Sequence, residues 1–138
     1  MRKYLFRGKH SQCDEWLIGF YYEDRRKNPK ILIDDPYLGL RECFVIPETV
    51  GQFTGLYDKN GVRIFEGDIV DIAITICAYE NDPDPVYRTI TGKVEYSSGN
   101  FWFIGSGYSI NNWFHYNSSD IKVIGNIHDN PELLNIET

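Results

Sequence analysis

Alanine, the best helix former, occurs only at Ala73 and Ala78, and that scarcity argues against a helical bundle. Cysteine is sparse and odd in number. Cys13, Cys43 and Cys77 stand far apart with no CxxC pair, which excludes a zinc ribbon and does not suit a disulfide framework. Such a set fits reduced thiols in a cytosol, and Cys77, inside the apolar run IAITICA, reads as core filler. No window approaches the ~20 apolar residues a membrane helix needs, and MRKYLFRGKHSQ lacks the apolar stretch of a signal peptide. There is no GxSxG elbow, P-loop or GxGxxG either. The expectation is a cytoplasmic protein with no membrane segment, no cofactor and no catalytic motif.

Aromatic residues are plentiful. They make up 15% of the chain, with ten Tyr, eight Phe and three Trp, a weighting that favours strands. With 42% hydrophobic residues, 138 residues are enough for one compact unit that folds without metal or disulfides. The net charge of −6 is unevenly spread. Residues 1–30 hold eight basic side chains against four acidic, and residues 31–138 hold six against sixteen. The acidic body repels phosphate backbones and disfavours nucleic acid as a partner. Arg25-Arg26-Lys27 reads as a solvated hairpin tip.

Along the chain, KYLFRGK, EWLIGFYYED, KILID and CFVIP have strand character, with a hairpin tip near residues 24–29 and a stop at Pro47. The apolar run from Ile69 to Ala78 follows, then the acidic loop YENDPDPVY, in which Asp82 and Asp84 alternate with prolines. TITGKVEY and FWFIG flank Ser97-Ser98-Gly99-Asn100, a hairpin signal. DIKVIGNI closes the sheet, and Asn130-Pro131-Glu132 is the start of a single helical turn, with Asn130 as its N-cap. Strands at this spacing, with helix confined to the end, indicate a small all-β barrel or sandwich.

Residues 51–70, GQFTGLYDKNGVRIFEGDIV, are polar and rich in turn signals. Asn60-Gly61 predicts a type I′ turn, with GLYD folded back on VRIF and Asp58 bonding backbone amides of the turn. Gln52, Thr54, Gly55, Leu56, Asp58, Asn60, Gly61, Glu66, Gly67, Asp68 and Val70, together with the terminal VIGNIHDNPELL, resemble the signature of YopX-type proteins of phages and prophages. The resemblance implies a mainly-β fold over residues 1–138: an N-terminal β region at 1–50, then the signature hairpin and an SH3-like barrel at 51–138. It also implies a phage or prophage origin in a bacterial cytoplasm. It implies no activity.

Glu66, Asp68 and Asp71 are the densest acids outside the loop, but in a strand Asp71 points away from the other two. Asp68 and Glu66 are expected to accept backbone hydrogen bonds at a strand entrance, and no metal site is assigned. A Cys-His hydrolase would need a thiolate beside an imidazole, and no spacing places Cys43 or Cys77 near His115. The leading expectation is a binding or adaptor module for a protein partner. Its candidate surface lies in FWFIGSGYSINNWFHY, at Tyr108, Trp113, His115 and Tyr116, while most of Phe101, Trp102, Phe103, Trp113 and Phe114 are expected to fill the core. The alternatives are a β-barrel stacking single-stranded nucleic acid on aromatics, and self-assembly into a homo-oligomer through strand edges.

Overall fold

The computed structural model describes residues 5–105, 108–110 and 120–135, apart from the side chains of Ile76, Tyr108, Ile110 and Asn135. The protein is mainly β, as expected, with antiparallel sheets and short 3-10 turns among these residues. It divides into two compact units, Met1–Gly55 and Leu56–Thr138.

The N-terminal unit contains β1 (Phe6–Lys9), β2 (Trp16–Glu23), β3 (Pro29–Asp35), β4 (Gly39–Phe44) and the first part of β5 (Gly51–Tyr57). Their order in the sheet is β4-β3-β2-β1-β5. β2 pairs with β1 through its first half (Lys9 opposite Trp16, Phe6 opposite Gly19) and with β3 through its second (Phe20 opposite Leu32, Glu23 opposite Pro29). A β-carbon on Gly19 would lie 2.1 Å from the Leu32 carbonyl oxygen, so only glycine fits where β2 changes partners. The segment after β4 returns to β1: His10 bridges Val45, and the Ile46 amide donates to the Lys9 carbonyl at 2.9 Å. Strand alternation then sorts the side chains. Leu17, Ile31 and Val45 form the core with Tyr21, Ile33 and Cys43 against them, while Ile18 and Phe20 point the other way.

In the C-terminal unit, β5 turns back as β6 (Arg63–Phe65), which leads into β7 (Asp68–Ile76). β8 (Val86–Ser97), β9 (Asn100–Gly105) and β10 (Tyr108–Ile110) continue as a meander. β11 (Ile121–Asn126) returns beside β7, giving the order β10-β9-β8-β7-β11. The core is Ile64, Val70, Ile72, Ile90, Val94, Phe103 and Ile121. Burying side chains of this size contributes ~1.5–3 kcal/mol each, so this cluster is the main source of the unit's stability. Of the expected aromatic fillers, Phe103 is fully buried and Phe101 packs on the core. Trp102 is half-buried and donates its indole N–H to the Ser97 carbonyl at 2.9 Å. Trp113 and Phe114 lie outside the described residues.

Two local expectations are corrected. Cys77 is exposed, because the β7–β8 ribbon runs past the core before its acidic loop. The type I′ turn forms at Ser98-Gly99, where φ is +53° and +79°, between the paired Ser97 and Asn100. At Asn60-Gly61 only Gly61 has positive φ, at +77°. That loop spans three residues: the Gly61 amide donates to the Asp58 carbonyl at 3.0 Å, and the Asp58 amide to the Val62 carbonyl at 2.8 Å. It is a type I turn closed by a left-handed glycine.

Candidate functional site

The signature loop is built around one carboxylate. Asp58, only 4% exposed, accepts the Asn60 and Val62 amides on Oδ1, at 2.8 and 2.9 Å. Its Oδ2 accepts the Val123 amide at 2.9 Å, which ties the loop to β11, and the Lys59 amide donates to the Ile121 carbonyl beside it. Burial pushes the Asp58 carboxyl up, but the Val123, Val62 and Asn60 amides, with the nearby Lys59 ammonium, hold it below its ordinary value. Asp58 is a structural anchor, with both carboxylate oxygens engaged by backbone amides.

The N-terminal unit repeats this loop. Asp24 accepts the Arg26 and Asn28 amides on Oδ1, both at 2.9 Å. The Lys27 amide donates to the Asp24 carbonyl and the Asp24 amide to the Asn28 carbonyl, which is the network of Asp58 bond for bond. Lys27 occupies the left-handed position, at φ +62°, that Gly61 fills in the other loop. Asp24 differs in its second oxygen, which faces the Lys30 ammonium at 3.6 Å rather than a distant strand amide. Arg25-Arg26-Lys27 is therefore the exposed tip of this hairpin.

Asp68, 1% exposed, accepts the Phe65 amide at 2.7 Å across the Glu66-Gly67 turn, as expected of an acid at a strand entrance. Gly67, with φ +91°, donates to the Val94 carbonyl and accepts from the Ile127 amide. Asp71 lies on the opposite face and takes the Thr91 hydroxyl. In the acidic loop, Asp82 turns inward to accept the Ala78 and Asp84 amides, both at 2.9 Å. Among the described residues no three His, Cys, Asp or Glu side chains group as a metal site requires.

The terminal signature is equally structural. Val123 pairs with Val70 and Gly125 with Ile69, so Ile124 is the extra residue of a β-bulge. Asn126 Oδ1 accepts the His128 and Asp129 amides, and the Asn130 amide returns to the Asn126 carbonyl at 2.8 Å. Asn130 does precede a 3-10 turn, Pro131–Asn135, but its side-chain oxygen reaches back to the Asn126 amide at 3.3 Å. A β-carbon on Gly125 would fall 2.6 Å from that oxygen, so glycine permits the approach.

Of the expected partner surface, Tyr108 lies in β10, and Trp113, His115 and Tyr116 lie outside the described residues. The apolar surface that stands out is on the N-terminal unit instead. On the outer face of its sheet, Phe20 is 64% exposed and Leu40 70%, with Ile18 and Phe44 also exposed. Register places these residues on one face, the β2 pair and the β4 pair flanking β3: Phe20 faces Leu32, which faces Glu42, and Tyr22 faces Lys30, which faces Phe44. Lys30 spans the last pair, its ammonium 4.6 Å from the Phe44 ring. EWLIGFYY carried the signal, because its apolar residues are continuous rather than alternating, so whichever face was buried, the other would also be apolar.

The sequence profile described as YopX protein matches residues 5–135. The chain belongs to the YopX family. A crystal structure of protein EF1440 from Enterococcus faecalis resembles this YopX-family chain with a TM-score of 0.51 and 25% identity, over 97% of this chain and 99% of that one. No curated protein matches it. Among the described residues, no helix is long and apolar enough to cross a membrane.

Proposed function

We propose that this YopX-family protein is a non-catalytic binding module of phage or prophage origin, acting on a protein partner in the cytoplasm of a bacterial host. The observation that carries the reading is the outer face of the N-terminal sheet, where Ile18, Phe20, Leu40 and Phe44 stay open on regular, well-paired strands. Exposed apolar side chains grouped on one face mark interaction sites far more often than scattered ones do. The signature acids support a structural role, since Asp58 and Asp68 are spent on backbone amides of their own unit. The C-terminal unit is read as SH3-like: a four-stranded meander, β7 to β10, whose fifth strand β11 returns beside the first. This connectivity suits a barrel that serves as scaffold.

The test is capture from infected host cells with the tagged full chain, run beside Phe20→Glu and Leu40→Glu. A protein retained by the unaltered chain and lost by both variants is expected. Salt-sensitive binding of single-stranded DNA or RNA that survives both substitutions would replace this reading with nucleic-acid binding.

A further inference from the structure

We infer that the occupant of the N-terminal apolar face is a second copy of this chain, docked face to face about a two-fold axis. The inference rests on the proposal that this face is a binding surface. Its first support is size. Ile18, Phe20, Leu40 and Phe44 leave on the order of 450 Å2 of apolar surface open, the size of the largest patch on a typical monomer, which is often a functional one. With the interspersed Tyr22, Lys30, Leu32, Asp34 and Glu42, the face approaches the ~800 Å2 per partner that a standard interface buries.

Charge is the second support, because it selects the partner. The face carries Arg7 and Lys9 on β1, opposite Ile18 and Trp16, where both cations lie over the Trp16 ring at 4.9 and 5.8 Å. At the other end, β3 and β4 contribute Asp34, opposite Leu40, and Glu42, opposite Leu32. Lys30, between them, is already held by Asp24 at 3.6 Å and Glu42 at 4.0 Å, and Lys9 lies 3.8 Å from the exposed Asp14 carboxylate. The face is therefore basic along β1, apolar across its middle and acidic toward β4. A two-fold axis lying in the interface and running parallel to the strands lays the β4 end of one copy on the β1 end of the other, pairing opposite charges twice around a shared apolar centre. An isologous contact requires this self-complementarity.

Light scattering and sedimentation of the full chain across a dilution series test it. A mass of twice the 16.1 kDa chain is expected at high concentration, falling to one chain on dilution. Phe20→Glu, Leu40→Glu and Glu42→Lys are each expected to weaken association ~10-fold or more. Tyr87→Ser, at an exposed site in the C-terminal unit, is expected to leave it unchanged. A single-chain mass at every concentration overturns the inference, as does a dimer that survives all three face substitutions. If the chain is monomeric but loses a captured protein on Phe20→Glu, self-association fails while the binding-module reading stands.

Discussion

Replacing Asp58 with alanine removes the acceptor for three backbone amides at once, those of Asn60, Val62 and Val123. A hydrogen bond to a charged partner contributes a net ~1.5–3 kcal/mol, and orphaning a buried donor costs about as much. The Asn60 and Val62 amides sit near the surface and can turn to water, whereas the Val123 amide lies within the β11 ladder. The three losses therefore do not add in full, and a destabilisation of about 3–4 kcal/mol is expected. Asp58→Asn should lose about 2 kcal/mol, because its oxygen can keep the loop bonds while its NH2 group faces the Val123 N–H, donor against donor. Asp24→Ala is the internal control. It removes the same two loop bonds without any strand-to-strand bond, so its cost must be clearly smaller. Urea unfolding gives the free energies, and hydrogen exchange at Val62 and Val123 locates the loosening. A loss below about 1 kcal/mol for Asp58→Ala, or one no larger than for Asp24→Ala, would refute the anchoring role.

The paired loops predict opposite glycine effects: Gly61→Ala should cost about 1 kcal/mol, and Lys27→Gly should raise stability by up to ~1 kcal/mol, both read from urea midpoints. Gly125→Ala should push Asn130 off the Asn126 amide and speed exchange there and at Leu133, leaving β2 and β3 protected. Acid should loosen the turns. The carboxyls of Asp24, Asp58 and Asp82, and of Asp35, which accepts the Tyr37 and Leu38 amides of the β3–β4 turn, are all held below their unfolded value of about 4, so their stabilisation is present above about pH 4 and is lost as pH falls through the folded values. A titration in which stability stayed flat through this range would contradict the role given to these carboxylates.

Much of the fold was legible from turn chemistry and strand composition. The hairpin tips near residues 24–29 and 97–100, the fold-back of GLYD on VRIF and the helical turn after Asn130 all form where the residues indicated. The Asn60-Gly61 dipeptide misled on turn type, because a dipeptide preference cannot register that Asp58 organises five residues around its carboxylate. The exposure of Cys77 was hidden for a different reason: an apolar run looks the same whether its ribbon ends inside the core or beyond it. The exposed apolar face was the least legible feature. Ile18, Phe20, Leu40 and Phe44 come from two separated segments, and only the β2–β3–β4 register brings them to one side of a sheet whose other side holds Leu17, Ile31 and Val45.

The most direct measurement is the urea stability of the Phe20→Ser/Leu40→Ser double variant, taken at a dilution where the chain is monomeric. If the outer face is free surface held for a partner, the midpoint stays within about 0.5 kcal/mol of the unaltered chain or rises. A loss of more than about 2 kcal/mol would show that these side chains pack within the folded chain, and the face would cease to be a candidate site.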